Sequence, residues 1–211
     1  MTAAVTDAYA TAEEYRARVD QSDATGDDVL LSQLSAVTQY LKNRLGRFFT
    51  RDAAVVVRTF DGNGQRRLYL PGIATATGLI VKVDLDGDND FDGADETLTL
   101  GTHFWVGPAN ADKGPEVWPF EYLEIIPGNG RLAAWPERLR AVQITGSFGW
   151  PVVPGAIREA TISVTRQLRD ILGAGATMTL QSIEAAIPQA SSSLALILDM
   201  ERQYAKQTWF V

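Results

Sequence analysis

The segment that decides the fold is VQITGSFGWPVVPGAIREATISVTRQLRDIL, residues 142–172. Its first residues alternate between apolar and polar side chains, which is typical of a β-strand. Gly146 and Gly149 relax the backbone where that strand ends, and Pro151 and Pro154 stop the strand and allow a helix to begin. After them, apolar residues recur at spacings of three and four, which predicts an amphipathic helix. The segment is therefore a corner that joins a β-region to a helix.

Two more helices are predicted upstream of this corner, over residues 11–19 and 27–45. Thr11 and Glu14 have the spacing of a capping box, which starts the first helix. The second helix carries a single apolar stripe and ends at Gly46. The stripe consists of Leu30, Leu34, Val37, Leu41, Leu45 and Phe48.

The residues between the second helix and the corner, 51–149, have the character of short strands separated by glycine and proline clusters. The turn signal DGNG lies between the β-prone runs 54–60 and 67–70, which predicts a hairpin. A third helix is predicted over 155–172, so the pattern predicts a compact β-layer beside helices, which is an α+β arrangement.

The chain changes character after Gly173. Its next twenty residues are largely small or polar and lack a sustained period, and residues 194–206 predict one more helix. We therefore predict one domain over residues 1–173 and an extended C-terminal arm over residues 174–211.

The net charge of −7 is concentrated in one segment. Residues 84–96 contain seven acidic residues and no basic one, so the other 198 residues carry 19 acidic and 19 basic residues. Affinity for nucleic-acid phosphates depends on clustered lysine and arginine. We therefore expect any double-stranded DNA to pass this protein without sequence-specific binding.

This acidic segment is also the candidate metal site. The run Asp88–Gly93 resembles the opening of an EF-hand loop, but Thr99 stands where the bidentate glutamate should be, and strands are predicted on both sides. Two interpretations stay open, a hairpin tip built from turn-forming residues and a site for Ca²⁺ or another hard cation. The candidate ligands are Asp84, Asp86, Asp88, Asp90, Asp92 and Asp95. No other cofactor is predicted.

Composition excludes several classes of enzyme. The chain has no cysteine, which removes thiolate nucleophiles, iron–sulfur clusters and disulfides, and its only histidine is His103. Neither a GxSxG elbow nor a phosphate loop occurs. A glycosidase-like pair of carboxylates stays open, because 26 acidic residues offer many candidates. We predict a protein that is not an enzyme and has no catalytic residues.

No apolar run approaches the roughly 18 residues that cross a bilayer, and the first residues lack the features of a secretory signal. We therefore expect a protein that is made in a cytoplasm and has no membrane partner.

Three segments resemble the head–tail connector, or adaptor, proteins of siphophages. They are YLKNRLGRFFTR at 40–51, LTLGTHFWVGPANADKGPEVWPFEYLEII at 98–126, and the corner at 142–172, which is the most specific in GSFGWPVVP at 146–154. The resemblance covers roughly residues 11–173 and, more loosely, the C-terminal helix.

This resemblance implies an α+β fold that is mainly an α-helical bundle with a small antiparallel β-region inserted into it. It also implies a structural protein of the virion neck. Such connectors form a ring of about twelve subunits beneath the portal protein, extend the DNA channel and seat the next neck or stopper protein. Two alternatives stay open, another neck protein such as a stopper or tail-completion subunit, and a calcium-dependent binding module. The second is suggested by the acidic segment and by Trp105, Trp118 and Trp135, whereas amphipathic helices on both sides of the β-region favour the connector.

Aromatic side chains are the candidates for interface anchors, because aromatics are enriched at interface centres. They are Trp209, Phe210, Tyr204 and Trp150. The alternatives are that the terminal pair folds back on its own domain and that Trp150 only covers the core at the corner.

Overall fold

The computed structural model describes most of the chain, namely residues 8–20, 26–93, 95–128 and 131–204. It forms two compact units, of which one combines both ends of the sequence and the other is the middle. The first consists of Met1–Phe49 with Val153–Val211, and the second is Thr50–Val152.

The first unit is helical among its described residues. Its elements are α1 (Ala12–Val19), α2 (Asp27–Leu45), α3 (Gly155–Leu172), α4 (Leu180–Ala186), a 3₁₀ turn (Ile187–Gln189) and α5 (Ser191–Tyr204). The bounds of α2 and α3 coincide with the ranges predicted from their apolar stripes. The predicted capping box is present, since the Thr11 hydroxyl accepts from the Glu14 backbone N–H and the Glu14 carboxylate accepts from the Thr11 N–H.

The prediction of an extended C-terminal arm was wrong over the described residues. Both α4 and α5 pack against α2 and α3, and Ile183, Ile197 and Met200 are buried there. The small and polar segment that suggested an arm is held in place by Gln33 of α2. Its side-chain amide donates to the carbonyls of Ala174 and Ala176, at 3.1 and 2.8 Å.

The second unit consists of strands in two antiparallel sheets. The strands are β1 (Val56–Phe60), β2 (Arg67–Ile73), β3 (Ile80–Val83), β4 (Thr97–Leu98), β5 (Phe104–Gly107), β6 (Phe120–Ile125) and β7 (Val142–Gly146). One sheet has the order β1-β7-β3-β4 and the other β2-β6-β5. Residues from both sheets bury one common core, which includes Val81, Leu123, Trp135 and Ile144.

The predicted fold class was wrong in its balance. The chain is a mixed α/β fold, with roughly 35% helix and 20% strand, and not a mainly helical bundle. The weight of the β-region was underestimated because its strands are short and because β1, β2 and β3 pair with β6 or β7, which are far away in sequence. A unit with two sheets and its own core is a second half of the protein, not a small insertion.

The predicted hairpin around DGNG was also wrong, because β1 and β2 belong to different sheets. After β1, the chain continues beside the segment that precedes β7: the Gly62 N–H donates to the Arg138 carbonyl at 2.8 Å, and the Asp61 carboxylate accepts from the Arg140 N–H at 2.8 Å. A Cβ on Gly62 would lie 1.9 Å from the Pro136 carbonyl oxygen, so glycine is required for this close approach.

None of the helices in the described part of the chain has the length and hydropathy of a membrane-spanning helix.

Two adjacent residues of α5 test whether the C-terminal helix belongs to the helical core. Ile197 is 0% exposed and Leu198 is 42% exposed. We expect Ile197→Ala to reduce the free energy of unfolding by about 2–5 kcal/mol, because it leaves a cavity, and Leu198→Ala to reduce it by less than about 1 kcal/mol. Urea unfolding followed by far-UV circular dichroism measures both. Equal small losses would contradict the packing of α5.

Candidate functional site

The acidic segment is the tip of a hairpin. Its flanking strands β3 and β4 are antiparallel, with Val81 opposite Leu98 and Lys82 opposite Thr97. The Lys82 ammonium donates to the Phe91 carbonyl at 2.6 Å, which ties the middle of the loop to its base. The sequence-based expectation of strands on both sides of the loop was therefore confirmed.

Asp84 is the buried carboxylate at the start of the loop. Its two oxygens accept from the backbone N–H groups of Gly87 and Asn89, at 2.7 and 3.2 Å. The Arg138 guanidinium lies 3.1 Å from the same carboxylate and also donates to the Asp84 carbonyl. The negative charge of Asp84 is thus balanced within the protein, as a buried charge requires.

Glu96 has the same role at the end of the loop. It is buried, and its carboxylate accepts from the N–H groups of Leu85 and Gly93, at 3.2 and 2.9 Å. Asp84 and Glu96 therefore fold the loop from both ends, by supplying acceptors for backbone groups that have no strand partner.

The exposed aspartates between them form a ladder of turns. The carboxylates of Asp86, Asp88 and Asp90 each accept from the backbone N–H two residues further on, at 3.4, 3.0 and 3.1 Å. Aspartate favours such turns because its short side chain reaches its own backbone. The alternating spacing that resembles an EF-hand has this local structural cause.

Three of the six candidate metal ligands come together. Carboxylate oxygens of Asp84, Asp86 and Asp88 lie within 4.8 Å of one another. In contrast, Asp95 forms an ion pair with Arg131 at 2.9 Å. Carboxylate oxygens are the ligands that Ca²⁺ prefers, and water would have to complete its six to eight ligands. The cation stays a prediction, now restricted to this trio.

The pKa of Asp90 lies above its ordinary value of 3.8. The backbone hydrogen bond from Asp92 has the largest effect and lowers this pKa. It is outweighed by partial desolvation, by a hydrogen bond with the Asp92 side chain, and by the negative charges of Asp88 and Asp92. The negative charges of Asp88 and Asp92 are thus among the causes that raise the pKa of Asp90, after desolvation and the side-chain hydrogen bond.

The candidate interface aromatics that the structure describes lie in the interior. Tyr204 is buried in the helical unit, edge-on to Phe49 with ring centres 5.6 Å apart. Trp150 is buried in the β unit, 4.8 Å from the ring of Trp118. Both side chains serve the packing of their own unit. Trp209 and Phe210 lie outside the described residues.

His103 follows β4 in a tight turn. Its Nδ1 accepts from the Thr99 backbone N–H at 2.7 Å, so this nitrogen is engaged in local structure. The absence of enzymatic activity stays a prediction.

Comparison with known proteins finds no matching protein family, no matching curated protein and no matching solved structure.

The sequence did not reveal the residues that pair with the negative charges of the loop. Arg138 is 54 residues beyond Asp84 and Arg131 is 36 residues beyond Asp95, so no local spacing connects them. Glu96 was counted among the acidic residues without a role. Its position at the start of a predicted strand was the one available signal for it.

A calcium titration tests the trio with matched variants. Asp86→Asn with Asp88→Asn and Asp90→Asn with Asp92→Asn each remove two charges and keep an oxygen acceptor for the turns. We expect Ca²⁺ to raise the melting temperature of the wild type and of the second variant, and not of the first, because Asp90 and Asp92 lie outside the trio. Ca²⁺ at ten times its Kd adds about 1.4 kcal/mol. Equal changes of melting temperature in both variants, or no change in the wild type, would contradict a cation site at this trio.

A second measurement tests the charge crowding at Asp90. Because the pKa of Asp90 is raised by folding, the stability tied to its protonated form is present at low pH and is lost as the pH rises through the raised value. We expect Asp90→Asn to melt at a higher temperature than the wild type at pH 7 in low salt and chelator. The two proteins should melt alike below about pH 3.8, and added salt should narrow the difference. A lower melting temperature for the variant at pH 7 contradicts this account.

Proposed function

We propose that this chain is a structural subunit of the head-to-tail connector in the neck of a tailed bacteriophage. In this proposal, copies of the chain form a ring under the portal protein, extend the DNA channel and join the head to the tail. The ring also seats the next neck or stopper protein. The subunit is made in the bacterial cytoplasm and ends in the virion.

The observation that carries the proposal is the order of the elements. The chain forms α1 and α2, then a β unit, and returns through the corner at 146–154 directly into α3. The segments that resemble connectors occupy the end of α2, the β unit and this corner. The order of elements therefore agrees with the resemblance at the points where the resemblance is most specific.

The corner has the close packing that its glycines suggested. Gly149 has φ +99°, and a Cβ there would lie 2.1 Å from the Thr50 carbonyl oxygen. Its N–H donates to the Gly72 carbonyl at 3.1 Å, and the next residue, Trp150, is buried against Trp118. A motif with such steric demands identifies a type of chain turn more reliably than a composition does.

The charges of the described residues support a channel protein that does not hold DNA. Eight arginines form ion pairs with carboxylates of their own unit. These pairs are Arg16–Asp27, Arg18–Glu159, Arg44–Glu201, Arg58–Asp52, Arg67–Glu124, Arg131–Asp95, Arg138–Asp84 and Arg158–Glu14. Phosphates gain little from such neutralised cations, so DNA passes without being retained.

A calcium-dependent binding module is the second candidate, because Asp84, Asp86 and Asp88 lie together. Its other basis is weaker, since Trp135 is buried in the core and of the three tryptophans only Trp105 is exposed. Another neck protein, such as a stopper, would share the virion setting and differ in the partner that it binds.

Assembly with the portal protein tests the proposal. We expect the purified chain to sediment as a monomer or a weak associate, and to form rings in negative stain when mixed with the portal protein of the same phage. A template should drive ring formation because repeated weak contacts add together in a ring. A stable small dimer that does not bind the portal protein would overturn the proposal that this chain is a connector subunit.

A further inference from the structure

Among the described residues, β1 is the outer strand of the four-stranded sheet and is paired on one side only. Its five residues pair with β7 in a regular register, from Val56 opposite Gly146 to Phe60 opposite Val142, without a bulge. An open strand edge of this kind is a template for another strand.

The other three edge strands among the described residues are protected. β4 is two residues long, and β2 contains Pro71 and has an irregular register between Tyr69 and Ile73. β5 is four residues long and is followed by Pro108. Proline and irregular register prevent strand addition, because they remove or misplace the hydrogen-bonding groups. β1 has neither device.

The outward face of β1 is uncharged and is formed by Val57 and Thr59, and Val55 lies directly before the strand. Val55 and Val57 are 63% and 59% exposed, and Ile80 of β3 lies in the same cross-sheet row as Val57. The only charged residue of the strand is Arg58, which is paired with Asp52 at 2.7 Å. The like-charge repulsion that keeps many edge strands apart is therefore absent from this face.

The hydrogen bonds of the sheet show which backbone groups of β1 are directed outward. The Asp84 N–H donates to the Ala141 carbonyl, which fixes the alternation between β3 and β7. It follows that Ile144 of β7 directs its backbone groups toward β1. By the same alternation, Val57 and Thr59 direct theirs away from β7, toward the open edge.

We propose that β1 pairs antiparallel with β1 of a second copy of this chain, across a twofold axis at Val57. The second copy is the occupant because an added strand needs an open edge, and β1 is the unprotected one among the described strands. Centred on Val57, the pairing places Val57 opposite Val57 of the partner subunit and Val55 opposite Thr59 of the partner subunit. Val57 is the centre because its backbone groups are directed toward the open edge, whereas those of Arg58 are directed toward β7.

The contact is small. Strands of five residues bury less than the roughly 1,200 Å² of a standard interface, so the dimer is weak and reversible. The inference stands apart from the proposed ring, because a twofold contact closes on itself and does not propagate around a ring.

Sedimentation equilibrium of three variants tests the contact. Val57→Lys places two like charges across the axis and should raise the dimer dissociation constant about tenfold. Val57→Ile keeps a β-branched apolar side chain and should leave it unchanged. Leu139→Lys adds the same charge at a residue that is 75% exposed and outside β1, and should also leave it unchanged. Melting curves establish that each variant is folded.

Spin labels then locate the contact. Because the chain contains no cysteine, a single introduced cysteine is the only residue that is labelled. A label on Val57→Cys should show spin–spin broadening that disappears on dilution, whereas a label on Tyr69→Cys, at 56% exposure, should show none. A protein that is monomeric at every concentration overturns the proposal. So does a dimer that is insensitive to Val57→Lys, or one without broadening at residue 57.

Discussion

The β unit depends on the close approach of Gly149 to the backbone of Thr50. No side chain fits there, since a Cβ would lie 2.1 Å from the Thr50 carbonyl oxygen. Around this point the Asp52 N–H donates to the Phe148 carbonyl at 2.8 Å, and Arg51 bridges to Gly149. The first and last parts of the unit are thus joined side by side. A unit whose two ends are adjacent can be inserted between two helices without separating them.

The parts of the fold that were predictable have signals within a few turns of the chain. The stripes of α2 and α3 needed only their own residues, because a helix pairs its backbone locally. The sheets depend on distant partners. For example, β7 lies between β1 and β3, and Val142 of β7 is opposite Phe60 of β1. The size of the β unit was underestimated and the DGNG hairpin was wrongly predicted for the same reason. A turn signal does not identify the strand that will be the partner in a sheet.

The acidic loop shows the same division at the scale of single residues. Alternating aspartates predicted a loop, and the ladder of turns explains why that spacing suits a hairpin tip. The spacing did not predict which carboxylates are buried and structural and which are exposed. Asp84 and Glu96 differ from the others because they are buried and each accepts from two backbone N–H groups. Asp84 is also paired with a guanidinium distant in sequence. Tertiary contacts of this kind decide which acids are structural.

The four edge strands of the described sheets can be compared with one another. Because all belong to one small unit, a general tolerance for open edges would leave several of them unprotected, yet β2, β4 and β5 are each irregular, short or ended by proline. Leaving β1 open carries a risk of nonspecific aggregation, and one lysine on its outward face would reduce that risk. An open edge limited to one strand, with Arg58 neutralised by Asp52, combines low charge with a single preferred register. These are the physical requirements of a specific strand contact.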